Sequence, residues 1–270
     1  MRRAERDRPL HASDPLAARS PSLVRFFGGV MARAMAASFH KVRIAEPGVP
    51  HLPDGRPVIV YANHPSWWDP AFFIVLATKL FSQRQGFGPI DIDALARYRF
   101  MSRIGLFGIE PASRRGAARF LKTGLRILGN PQAMLWITPE GRFTDVRARP
   151  VRLRPGLAHL ARRAPRALLV PLALEYVFWE ERTPEALCRF GRPIDAGSDL
   201  GHGIDAGSAL LRHRLEETME ALALAAIVRE ADRFSVLLRG RAGVGGVYDG
   251  WRRLRARLRN EEFRSEHGRL

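Results

Sequence analysis

The run Val58-Ile59-Val60-Tyr61-Ala62-Asn63 leads directly into His64-Pro65-Ser66-Trp67-Trp68-Asp69 and then into a long apolar stretch. No other segment constrains the fold as much. The β-branched run reads as a buried strand. Residues 70–82 read as a helix apolar almost all round, hence buried or lipid-facing. A strand, a proline-bounded turn and a helix in that order are the building unit of an α/β protein.

The turn carries chemistry. A histidine at a strand end can take a proton from an alcohol, because imidazole titrates near neutral pH. A carboxylate on its other nitrogen fixes the tautomer and stabilises the imidazolium that forms. His64 and Asp69 are five apart, and on one continuous helix such residues point roughly 140° away from each other. They meet only if the chain turns between them, which Pro65 and Pro70 allow.

Further elements alternate along the chain. Helices are predicted over 93–103 (with Asp93 near the N-cap), 113–128, 157–164 and 209–238. Strands are predicted over 106–110, 133–138 and 167–174, the last interrupted by Pro171. Residues 22–39 form a helix with a narrow polar stripe of Ser22, Arg25, Gly29 and Arg33. Such a helix lies in a membrane interface or packs on the domain's own core. No run of 18 apolar residues suggests a transmembrane span. The first residues, Met1 to Pro9, are polar and do not make a secretory signal. Trp251, Leu254 and Leu258 fall at helical spacing among arginines and suit an anionic surface.

A chain of 270 residues is one large domain or two small ones. The lone cysteine, Cys188, forms no internal disulfide and no thiolate zinc site, and the histidines other than His64 show no metal spacing. The net charge is +17, and all but three of the 44 basic residues are arginines. A surface this basic attracts phosphates, anionic lipid headgroups or nucleic acid, although a GC-rich coding sequence also produces arginine excess. Gly-x-Ser-x-Gly, the P-loop and the dinucleotide fingerprint are all absent.

Two more constellations stand out. In Thr138-Pro139-Glu140-Gly141-Arg142-Phe143 a strand runs into a tight turn. Glu140 is placed to accept a hydrogen bond from a hydroxyl or to orient a cationic side chain, and Arg142 to bind a phosphate. Gly108 precedes Arg114 by six positions, with Arg115 adjacent. An arginine at a strand-to-helix junction can hold a phosphate beside the free N–H groups of the helix start.

Taken in order, Asn63-His64-Pro65-Ser66-Trp67-Trp68-Asp69-Pro70, Gly108 to Arg114, Thr138 to Arg142 and Val170-Pro171-Leu172-Ala173-Leu174 resemble the four blocks of the glycerolipid acyltransferase superfamily, best known through lysophosphatidic-acid acyltransferases. The resemblance spans roughly residues 55–195 and ends on Phe190-Gly191-Arg192-Pro193-Ile194. It implies that His64 is the general base on an acceptor hydroxyl, oriented by Asp69. It places Arg114 or Arg115 at the acceptor phosphate, and Glu140, Gly141 and Arg142 in the acceptor site. It implies an acyl thioester, acyl-CoA or acyl-carrier protein, as co-substrate, with no acyl-enzyme, no metal and no bound cofactor. The third block departs from the family's Glu-Gly-Thr-Arg, with arginine one position early. In the second, Pro111-Ala112-Ser113 stands where the family has a hydrophobic strand.

The sequence thus predicts a single α/β domain with a central, mostly parallel sheet flanked by helices. Its expected parts are a disordered basic tail (1–20), an amphipathic membrane-association helix (21–45), an acyltransferase core (50–200) and a helical C-terminal extension (201–270). The expected acceptor is a lysophospholipid such as 1-acylglycerol 3-phosphate, with another lipid alcohol (lyso-aminolipid, glycolipid or carotenoid) as the alternative. The expected partners are membrane lipids and the thioester donor, acyl-carrier protein among them, at the cytoplasmic face of the cell membrane in a peripheral or monotopic position. A basic nucleic-acid-binding protein or a non-catalytic lipid-binding module would be the readings of another class. No nucleic-acid partner is expected, because such a role needs none of the ordered blocks.

Overall fold

The computed structural model describes residues 14–201 and 203–240. Its strands are β1 Lys41–Ala45, β2 Val58–Ala62, β3 Gln85–Asp91, β4 Leu106–Ile109, β5 Ala133–Ile137, β6 Leu168–Val177, β7 Glu185–Phe190, β8 Ile194–Asp195 and β9 Phe234–Arg239. All nine form one sheet in the order β4-β3-β5-β2-β6-β7-β1-β9, with β8 pairing β6. Strands β2 to β6 are mutually parallel, and β1 is parallel to β7. Only β6–β7, β6–β8 and β1–β9 are antiparallel.

Helices cover both faces, which is why β2 and β5 are buried at every position. Along β2, Val58, Val60 and Ala62 face α2 (Pro21–Ser38) and α3 (Asp69–Leu80). Ile59 and Tyr61 face α5 (Arg114–Leu128), α6 (Gly156–Arg163) and α7 (Ile204–Val228). The period-two pleat thus divides one strand between two cores. The two short helices α1 (Pro15–Ala18) and α4 (Ile92–Arg97) complete the set, with a 3₁₀ turn over Arg99–Ile104.

Because they run parallel, all five strands β2 to β6 end on the same edge of the sheet, and the loops after them converge there.

Several expectations are corrected. Helix α4 starts one residue earlier than expected, at Ile92, and Asp91 caps it: its side chain accepts the Asp93 N–H at 2.8 Å. The helix predicted over 93–103 is an α-helix followed by a 3₁₀ turn. Pro171 does not interrupt β6. Its carbonyl accepts the Gly191 N–H, so its nitrogen faces the same side, and there it falls between the residues paired to β8 (168–169) and those paired to β7 (172–177). A missing N–H costs little at such a gap.

The C-terminal part is not purely helical. The predicted helix over 209–238 stops at Val228, where Arg229 takes the left-handed conformation (φ 58°), and Phe234–Arg239 returns as β9 against β1. Residues 41–45, assigned to the N-terminal helical segment, form β1 inside the sheet. Within the expected disordered tail, Pro15–Ala18 is a helical turn capped by Asp14. The amphipathic segment around Trp251 lies outside the described residues.

Helix α2 packs on α3 across a small-residue contact, where a Cβ on Gly28 would press on Thr78 at 2.8 Å. Met35 is buried, while Phe26 is 63% exposed. Among the described residues no helix is long and apolar enough to cross a membrane.

Candidate active site

Strand β2 stops at Ala62, and Asn63 fixes the path of the chain beyond it. The Asn63 side-chain amide donates to the Leu174 carbonyl at 2.9 Å and its Oδ1 accepts the Leu174 N–H at 2.8 Å. This two-way bond replaces a rung of the β2–β6 ladder and delivers His64 to the sheet edge. The chain then turns through Pro65 to Trp68, and Asp69 becomes the first residue of α3. A carboxylate in a first helical turn also lies at the favourable end of the helix dipole.

That turn closes the gap between His64 and Asp69. The His64 Nδ1–Asp69 Oδ2 distance is 2.6 Å. Asp69 Oδ2 also accepts the Ser66 N–H at 3.1 Å, and Oδ1 accepts the Tyr176 hydroxyl at 2.8 Å. The carboxylate is fully buried, and both its oxygens are engaged. Beside a carboxylate, Nδ1 carries the proton, which leaves the Nε2 lone pair as acceptor. Nε2 has no hydrogen-bond partner among the described residues. The imidazole is 17% exposed, and the Phe143 ring lies against it with centroids 4.4 Å apart.

Glu140 follows β5, the neighbour of β2. It is 7% exposed, and its Oε2 accepts the His64 backbone N–H at 3.3 Å. Burial raises its pKa, against the lowering effect of that N–H, the His64 ring, the Thr144 hydroxyl and Arg142. Glu140 therefore clamps the backbone of His64. Gly141 turns the chain at φ +65°, a conformation that suits glycine. The loop then passes back over the site, where the Thr144 N–H donates to the His64 carbonyl at 2.9 Å.

Arg142 is exposed on this loop. Arg114 and Arg115 are both exposed at the start of α5, after β4. Ser113 caps that helix, accepting the Gly116 N–H at 2.8 Å. Strand β4 lies three strands from β2, or roughly 14 Å at the usual strand spacing. The two arginines thus lie on the same sheet edge as His64 without touching it. Cys188 is fully buried in β7, and burial pushes its thiol pKa up. Among the described residues, no three His, Cys, Asp or Glu side chains cluster to hold a metal.

Sequence reasoning missed Tyr176. A tyrosine near the end of a strand carries no signal for this role; only the pairing of β6 beside β2 brings it to Asp69. It also missed the Glu140 clamp, which needs β5 and β2 as neighbours.

Residues 43–175 match the family model described as Acyltransferase. Among solved structures, the chain is similar to that of the 1-acyl-sn-glycerophosphate (LPA) acyltransferase PlsC from Thermotoga maritima, at 13% sequence identity and a TM-score of 0.53, over 75% of this chain and 79% of that one. At that identity the likeness is one of fold. No curated protein sequence matches the chain. The matched segment runs from β1 to Glu175 in β6 and contains His64, Asp69 and Glu140, and over it the chain is similar to the Acyltransferase family.

Proposed function

We propose that this protein transfers a fatty acyl group from acyl-CoA or acyl-carrier protein to the hydroxyl of a lysophospholipid such as 1-acylglycerol 3-phosphate. The observation that carries the reading is the 2.6 Å contact between His64 Nδ1 and the buried Asp69, which leaves Nε2 unpartnered at the sheet edge. Nε2 takes the proton of the acceptor hydroxyl as its oxygen attacks the thioester carbonyl. The carbon–sulfur bond breaks, and the imidazolium returns its proton to the leaving thiolate. No acyl-enzyme forms, in keeping with a cysteine that is buried and hard to ionise.

Arg114, Arg115 and Arg142 are the acceptor-phosphate ligands of this reading, supported by their exposure on loops at the catalytic edge. We place the protein peripherally at the cytoplasmic face of the membrane, with α2 against the lipid. Exposed Phe26 flanked by Arg25 and Arg33 supports that placement.

The test is free-thiol release from palmitoyl-CoA with lysophosphatidic acid, comparing wild type and His64→Ala. Release that requires the acceptor and falls by roughly 10²–10⁴-fold in the variant is the expected outcome. Undiminished release in a folded His64→Ala protein would refute the base assignment.

A further inference from the structure

A cavity of about 200 Å³ lies between β6, α7 and the loop 141–155. Its walls include Asn63, so it adjoins the strand end that carries His64, but it opens on the other face of the sheet. Along β6, Tyr176 turns towards Asp69 and α3, while Ala173 and Val177 turn to the α7 core, and Glu175 turns with them into the cavity. Val146, Met219, Leu222 and Ala223 supply much of the remaining wall.

Two arginines and two glutamates line this cavity, but Glu175 is paired with neither arginine. Arg147 and Arg149 line it, but Arg147 is paired with both oxygens of Asp145, and Arg149 donates to the carbonyls of Val146 and Ala148. Glu220 stands exposed on the α7 side. Glu175 is half-buried and has neither a hydrogen-bond nor an ion-pair partner among the described residues. Burial alone raises its pKa. A carboxylate in an apolar wall is costly unless a donor meets it. A cation with N–H groups supplies that donor; a neutral chain or an anion does not. In volume, a cavity of roughly 150 Å³ admits a benzene-sized body, so a six-carbon chain fits here.

We propose that this cavity is a second ligand site, specific for the ammonium end of an amine-bearing amphiphile, with Glu175 as its counter-ion. Its roof is the loop whose Thr144 N–H holds the His64 carbonyl. An occupant therefore stiffens the segment behind the base without entering the reaction path.

The experiment is thermal unfolding of the full chain at neutral pH with n-hexylammonium or n-hexanol at matched ionic strength. Hexylammonium is expected to raise the wild-type Tm about twice as far as hexanol, by preferential binding to the folded state. That advantage disappears in Glu175→Gln, and also in Ala223→Phe, which fills the cavity and keeps the carboxylate. Equal shifts from the two compounds, no shift from either, or an ammonium advantage that survives in both folded variants would overturn the site.

Discussion

The Tyr176 hydroxyl donates to Asp69 Oδ1 at 2.8 Å, across 107 residues of sequence. Burial raises the phenol pKa first, and the Asp69 charge and hydrogen bond raise it further, so the group stays protonated and remains a donor. Under the proposed mechanism Tyr176 is a positioning residue. It holds the carboxylate that orients His64 and touches no reacting atom.

Tyr176→Phe strands one oxygen of a fully buried carboxylate, a loss of about 1–3 kcal/mol. Thermal unfolding should show a Tm lower by several degrees. Turnover should fall at unchanged acceptor KM, because binding is untouched and alignment is not. A KM change at constant kcat would contradict the positioning role.

Removing the arginines should have the opposite kinetic signature. Arg114→Ala, Arg115→Ala and Arg142→Ala each delete an exposed cation of the catalytic edge. A charge-assisted bond to phosphate is worth about 1.5–3 kcal/mol, or roughly 10–100-fold in acceptor KM with kcat little changed. Steady-state kinetics with lysophosphatidic acid measure this. An unchanged KM in all three variants would point to an acceptor without a phosphate.

Gly116 is needed for space. A Cβ there would collide with the Glu110 carbonyl oxygen, which is backbone and cannot swing away. Gly116→Ala should push the start of α5 off β4 and cost about 1–3 kcal/mol, measured by denaturant unfolding. The same displacement moves Arg114 and Arg115, so acceptor KM should rise in parallel.

Glu175 gives a prediction in pH. Its carboxyl is harder to ionise in the folded state than in the unfolded chain, whose reference value is 4.5. Between the two values the folded state holds the extra proton, so this group's contribution to stability is complete below about 4.5 and is lost as pH rises through the folded value. Glu175→Gln should therefore raise the Tm near neutral pH and make little difference well below the unfolded value. A lower Tm at neutral pH would mean that the carboxylate has a stabilising partner.

The sequence by itself determined the local units. The β-branched run 58–62 read as a buried strand, the prolines at 65 and 70 allowed the chain to turn, and the apolar run after them read as a buried or lipid-facing helix. Those are short-range facts of pleat, helical period and proline geometry; they allowed His64 and Asp69 to meet, and the order of the motif blocks along the chain marked them as a pair. Strand β9 was not legible, because 234–239 continues an apolar helical pattern and only pairing with β1 makes it a strand. The Tyr176 bond and the Glu140 clamp were equally silent. Both depend on β6 and β5 flanking β2, a strand order chosen by long-range hydrogen bonding and by burial on two faces, which no local pattern encodes.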